Sequence, residues 1–255
     1  MGLRRKIKNF LYTKKFSKKK YLTNINKKNI LITGANSGIG LALTKRLLEL
    51  DNKVLAIYRE NSENLTSIKD SNLSIIKYDL KKINESKNFE NKIKETSIDL
   101  ILNCAGVFGP SFDNQEIESL DFEKFQEVLM VNSISILKII QIILYNKFSK
   151  KNLETLVNIS SDAGSINLNN EGNAYMYRAS KTVLNSITKN MSIDLMRRFK
   201  TIVFAIDPGN VRSGMNPGGQ LKSDVCANLI INLISSNVHL LNGKFVNLLG
   251  DELPW

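Results

Sequence analysis

The sequence predicts an α/β fold, a three-layer αβα domain on a parallel sheet of seven strands. From Asn29 onward, short β-rich apolar runs alternate with longer helical patterns. That order gives a parallel sheet covered on both faces. A glycine-rich turn follows the first run and opens the first helical pattern. The length of 255 residues, 42% hydrophobic and 24% charged, suits one large globular domain.

The first strand is Asn29–Thr33, followed by a helical pattern near 39–50. Lys53–Tyr58 and Leu73–Tyr78 are the next two strands, and a helix near 82–96 leads to the fourth, Ile98–Asn103. The long segment 121–148 places Phe122, Phe125, Val128, Leu129, Ile136, Ile139, Ile140 and Ile143 on an apolar stripe. Asn132 is the polar exception on that stripe. Such a residue either turns to solvent or, if buried, needs partners for its amide. Thr155–Ser160, a helix at 175–199, Thr201–Ile206, a helix near 221–235 and Lys244–Asn247 complete the alternation. With no repeat and no linker after residue 28, residues 29–255 read as one domain behind a basic extension, 1–28.

Of the net charge of +12, +11 lies in that extension. Residues 1–28 hold eleven Lys and Arg and no acid, which leaves 25 basic against 24 acidic residues in the body. A neutral body argues against a specific nucleic-acid partner. The extension reads either as a solvated tail or as a weak contact with an anionic membrane surface through residues 1–24. Leu3, Ile7, Phe10 and Leu11 would face the lipid, surrounded by Lys and Arg. No uninterrupted apolar run approaches the ~20 residues of a membrane span. Two cysteines, Cys104 and Cys226, make neither a disulfide framework nor a zinc site, and fit a reducing, cytoplasmic setting, which the extension would make peripheral to a membrane. His239 is the single histidine, which disfavours histidine triads and metal chemistry.

The turn Thr33-Gly34-Ala35-Asn36-Ser37-Gly38-Ile39-Gly40 can approach a pyrophosphate closely and direct backbone N–H groups and a helix N-terminus at it. It is not a P-loop, because no Gly-Lys-Ser/Thr follows. At the end of the second strand an acid would bind the ribose of NAD, whereas Arg accommodates a 2′-phosphate. Tyr58 stands there with Arg59 behind it, which favours NADP(H) over NAD(H). Asp79 ends the third strand and reads either as an adenine ligand or as turn chemistry.

Tyr177 and Lys181 share one face of the 175–199 helix, one turn apart. A phenol titrates near pH ~10, and an adjacent cation lowers that value towards useful acid–base chemistry. The pair gains meaning from Ser160-Ser161 upstream and from the phosphate turn.

Taken together, Thr33–Gly40, Asn103-Cys104-Ala105-Gly106, Asn132, Asn158-Ile159-Ser160-Ser161, Tyr177–Lys181 and Asp207-Pro208-Gly209-Asn210-Val211 resemble the short-chain dehydrogenase/reductase family, in family order and spacing. Within it, Leu184-Asn185 and the terminal Gly250–Trp255 resemble the branch of C-factor and sniffer-like carbonyl reductases. The resemblance implies a Rossmann fold with strand order 3-2-1-4-5-6-7 and a catalytic set of Asn132, Ser161, Tyr177 and Lys181, with Ser160 as the alternative serine. It implies cofactor contacts from Gly34, Asn36, Ser37, Gly38, Ile39, Gly40, Arg59, Asp79, Leu80, Asn103, Ala105, Gly106, Tyr177, Lys181, Pro208, Gly209 and Val211. The reaction implied interconverts a small-molecule carbonyl and an alcohol by hydride transfer. In it Tyr177 is the acid/base, Lys181 lowers its pKa, and Asn132 holds a water that relays protons. Residues 211–222 read as a short mobile lid. Cys104 replaces the usual second Asn of Asn-Asn-Ala-Gly and reads as a small buried residue. The rival functions are a non-catalytic NADP-binding sensor, which would commonly have lost Tyr or Lys, and a sugar-nucleotide epimerase or dehydratase, which needs a larger C-terminal region. The family includes dimers, tetramers and monomers, and the chain is expected to be a homodimer or a monomer.

Overall fold

The computed structural model describes residues 25–60, 63–82, 87–145 and 153–255. Residues 1–24, and with them the proposed lipid contact, lie outside the described residues. Seven parallel strands form one sheet: β1 (Asn29–Thr33), β2 (Lys53–Tyr58), β3 (Leu73–Lys77), β4 (Leu100–Asn103), β5 (Thr155–Ile159), β6 (Ile202–Asp207) and β7 (Phe245–Asn247). Their order is β3-β2-β1-β4-β5-β6-β7, as expected. The order reverses beside β1, where β2 lies on one side and β4 on the other. That crevice at the carboxyl ends of the strands is where open α/β sheets bind ligands.

Strand residues alternate between two cores. Ile30, Ile32, Phe204 and Ile206 pack on the face covered by α1 (Gly38–Glu49) and α7 (Ser223–Asn237). Leu31, Val203 and Leu156 pack on the opposite face. There they meet α3 (Lys87–Lys94), α5 (Ser135–Tyr145) and α6 (Tyr175–Phe199). A short turn of helix, α2 (Glu63–Thr66), contributes the buried Leu65. Truncating a fully buried side chain such as Phe204 to Ala costs about 3–5 kcal/mol in such a core. Ile25 is also buried, and Asn52 donates to its carbonyl at 3.1 Å.

Most elements lie within one or two residues of their expected bounds, and three segments differ in a way that bears on the site. Of the segment expected as a helix over 82–96, the described residues show α3 at Lys87–Lys94, preceded by a separate 3-10 turn, Leu80–Lys82, in which Asp79 accepts the Lys81 N–H at 3.0 Å. The fourth strand starts at Leu100. The helix expected over 121–148 begins as α4 (Phe122–Leu129), capped by Asp121 accepting from Lys124 N–H, and then widens into a π turn at Met130–Ile134 before continuing as α5. In that turn Ser135 N–H bonds Met130 C=O, five residues back. The Ser135 hydroxyl takes Val131 C=O instead, at 3.1 Å, the acceptor an α-helix would have assigned to the N–H. Contrary to the count of apolar runs, Phe122–Tyr145 is long and apolar enough by composition to cross a bilayer. More than half of it is buried, and its apolar stripe covers the sheet.

Candidate active site

The crevice is a cleft of about 890 Å³. Its floor begins at the turn after β1. Gly34 has φ +64, and a Cβ there would meet the Ala105 Cα at 2.8 Å. A Cβ on Gly40 would strike the Gly34 carbonyl oxygen at 2.3 Å. Side-chain-free contacts therefore let β1, β4 and the start of α1 close on one another. Ser37 sits at the N-cap of α1 in extended backbone without a side-chain cap bond. The first-turn amides and the positive end of the helix dipole thus face the cleft beside Asn36, Gly38 and Ile39. This arrangement fits the diphosphate of a dinucleotide.

Tyr58, Arg59 and Glu60 line one end of the cleft, with Asp79 and Leu80 close by. Arg59 is exposed, and no acid occupies the end of β2 at Tyr58. Ala105 and Gly106 line the middle, and Pro208, Gly209 and Val211 the far wall. Asn103 does not line the cleft. It is buried in a polar row that crosses the sheet through register neighbours Thr33, Asn103 and Asn158. Ala105 N–H donates to Thr33 Oγ1 (3.0 Å), which donates to Asn103 Oδ1 (2.8 Å). Asn103 Nδ2 donates to Asn158 Oδ1 (2.9 Å), Asn158 Nδ2 to Thr188 Oγ1 (2.9 Å), and Thr188 to the Leu184 carbonyl (2.7 Å).

At the other end Ser161, Tyr177 and Lys181 converge. Ser161 follows β5, caps the 3-10 turn Asp162–Gly164 by accepting Ala163 N–H at 3.1 Å, and hydrogen-bonds the Tyr177 phenol. Ser160 is buried, and its hydroxyl donates to Asn185 Oδ1 at 2.7 Å. Of the two serines, Ser161 is the one beside the phenol. The Lys181 ammonium lies 5.8 Å from the centre of the Tyr177 ring and donates to the Ile159 carbonyl at 2.9 Å.

The expected direction of the Tyr177 shift is reversed. Burial pushes the phenol up to about 12, and the Ser161 hydrogen bond offsets this in part. Burial likewise draws the Lys181 ammonium down to about 8. Desolvation disfavours both charged forms. Cys104, expected as a small buried residue, is half-buried and lines the cleft near Lys181, where desolvation pushes its thiol up to about 12.

Asn132 is fully buried inside the π turn and does not line the cleft. Both of its amide hydrogens are committed, to Val107 C=O at 2.8 Å and Ser180 Oγ at 2.9 Å, while its oxygen accepts Val107 N–H at 2.7 Å. The amide thereby holds the chain leaving β4 at Val107. A Cβ on Gly106 would lie 3.5 Å from Asn132 Oδ1 and 3.6 Å from Lys181 Nζ.

Several lining residues carried no sequence signal. Phe108 lies 5.1 Å from the Tyr177 ring and 5.5 Å from the Phe112 ring. Arg178 pairs with Glu171 at 3.4 Å beside the same wall. Met215 tops the segment expected as a mobile lid. That segment is cross-bonded: Arg212 N–H donates to Leu221 C=O at 2.7 Å, and Ser213 and Asn216 exchange backbone bonds at 3.1 Å. Among the described residues no group of three acidic, His or Cys side chains could hold a metal.

The family model for short chain dehydrogenases matches residues 28–222. C-signal of Myxococcus xanthus is 26% identical over 169 residues, 66% of this chain and 98% of that protein. The 3-oxoacyl-acyl-carrier-protein reductase FabG of Rickettsia prowazekii is 30% identical over 200 residues, 76% of this chain and 77% of that one. Among solved structures, the carbonyl reductase Sniffer of D. melanogaster superposes with a TM-score of 0.81 at 26% identity, covering 90% of this chain and all of that one.

Proposed function

The chain belongs to the short-chain dehydrogenase family and is an NAD(P)-dependent oxidoreductase, and we propose that it reduces an apolar ketone or aldehyde with NADP(H), Tyr177 donating the proton. The observation that carries this reading is the convergence of Ser161, Tyr177 and Lys181 on one cleft that also receives the uncapped N-terminus of α1.

A bound dihydronicotinamide supplies the hydride. The protein supplies the other half of the reaction. A carbonyl oxygen seated between the Ser161 and Tyr177 hydroxyls accepts hydrogen bonds from both, and these strengthen as negative charge develops on it. Tyr177, held neutral by burial, carries its proton to that oxygen. The Lys181 ammonium stabilises the phenolate left behind and is itself held by the Ile159 carbonyl. Asn132 keeps Val107 and Gly106 in place beside Lys181. Phe108, Phe112 and Met215 offer an apolar wall for the body of the substrate. Arg59 and the lack of an acid at Tyr58 support NADP(H).

The test follows cofactor oxidation against a panel of ketones and aldehydes for the wild type and Tyr177→Phe. The substitution is expected to lower kcat by about 10²–10⁴-fold while NADPH still binds. Normal turnover by Tyr177→Phe would remove the proposal.

A further inference from the structure

We infer that Gln115 is a positioning residue, setting the place of the Tyr177 phenol by tying the first turn of α6 to the loop that walls the substrate side. The inference rests on Tyr177 being the proton donor.

The start of α6 has no local cap. Gly172, Asn173 and Ala174 are consecutive residues with positive φ, at 65°, 51° and 50°. The left-handed region costs a non-glycine residue about 1 kcal/mol or more. Ala174, at the N-cap, has no side chain to accept a hydrogen bond. Tyr177 is the third residue of the helix, so its N–H is among those that no helical carbonyl satisfies. Its acceptor comes from 62 residues earlier: Gln115 Oε1, at 3.2 Å.

The other end of the same amide donates to Phe108 C=O at 3.0 Å and Pro110 C=O at 3.1 Å. Between those carbonyls Gly109 turns at φ +95, and a Cβ there would lie 3.1 Å from Val128 and 3.6 Å from Gln115 Nε2. The loop is shaped around the amide. Gln115 is fully buried, so each of its three bonds is made away from water. Phe108 in turn sets its ring against that of Tyr177. One amide therefore fixes both the backbone that carries the phenol and the ring it leans on. Gln115 does not line the cleft, so it acts only through Tyr177 and Phe108.

No other residue supplies one acceptor and two donors at that reach. Gln115→Met keeps the length and loses all three bonds. Gln115→Glu reproduces the acceptor and one donor only when its carboxyl is protonated, which burial favours.

The experiment measures kcat, NADPH affinity and melting temperature for full-length wild type, Gln115→Met, Gln115→Glu and Tyr177→Phe. Gln115→Met should lose about 10–100-fold in kcat, the scale of a misplacement near 1 Å, with NADPH affinity within about twofold and the loss persisting well below its melting temperature. Gln115→Glu should approach wild-type kcat as pH falls from about 8 to about 5, as its carboxyl protonates, with Gln115→Met showing no such recovery. Wild-type kcat in Gln115→Met overturns the inference, and so does a parallel loss of NADPH affinity. If Gln115→Met does not fold, the pH series of Gln115→Glu decides, and a profile parallel to wild type overturns it. Retained turnover in Tyr177→Phe overturns the acid/base reading instead.

Discussion

The side chain of Asn132 grips both polar groups of the Val107 backbone, accepting its N–H at 2.7 Å and donating to its C=O at 2.8 Å. It pairs with the chain leaving β4 much as a neighbouring strand would. Replacing it with Leu leaves those two groups and the Ser180 hydroxyl without this partner in a buried place. Asn132→Leu is expected to lose about 2–4 kcal/mol of stability, the cost of stranded buried polar groups, measured by chemical denaturation. A loss below about 0.5 kcal/mol, the level of an ordinary surface substitution, would show that the grip contributes nothing.

The adjacent serines should separate cleanly by readout. Ser161→Ala removes the hydroxyl that bonds the phenol, and should cost about 10²-fold in kcat with little change in melting temperature. Ser160→Ala removes the partner of Asn185 and should cost about 1–2 kcal/mol of stability with turnover largely kept. The opposite pattern in paired denaturation and steady-state assays would reassign the serine.

The proposed preference for NADP(H) can be tested at Arg59, which is exposed and lines the cleft. A guanidinium–phosphate hydrogen bond contributes about 1.5–3 kcal/mol, so Arg59→Ala should lower kcat/KM for NADPH by about 10–100-fold and leave that for NADH nearly unchanged. Equal effects on the two cofactors, in the same assay, would count against a 2′-phosphate site at this residue.

The pH profile should carry the signature of Lys181 rather than of the phenol. Tyr177 keeps its proton to about 12, whereas the Lys181 ammonium is present only below about 8. For carbonyl reduction, kcat/KM is expected to be high below that pH and to fall as pH rises through about 8. Stability runs the other way. The folded pKa lies below the unfolded one, so between about 8 and ~10.4 the unfolded chain holds the extra proton and raising the pH favours the fold. Lys181→Met should therefore be inactive yet about 1–3 kcal/mol more stable at neutral pH, an advantage that shrinks by pH ~10.4. Denaturation midpoints at the two pH values check the sign.

All seven strands were legible in order because each is a short apolar run bounded by polar turns, and a parallel sheet buries both faces of such runs. The phosphate turn and the Tyr177–Lys181 spacing were legible because their chemistry is local in sequence. What escaped depends on distant neighbours. Gln115 gave no signal, because a remote cap on a helix is invisible without knowing which loop lies beside it. The π turn at Asn132 hid inside a regular apolar stripe. The direction of the Tyr177 shift follows from desolvation, which spacing alone does not measure.

The polar row from Ala105 through Thr33, Asn103 and Asn158 to Thr188 makes assembly of the site concerted. Every member donates in one direction, so neither Asn can turn over without forcing its neighbours to follow. Three strands supply the row, and α6 completes it. A folding intermediate with β1, β4 and β5 joined but α6 undocked would leave the Asn158 amide unpaired at the sheet face. Covering that face with any other apolar segment would cost about 1–3 kcal/mol. Non-native docking on the central strands is thereby penalised, and the sheet end that receives a dinucleotide matures together with the helix that bears Tyr177 and Lys181.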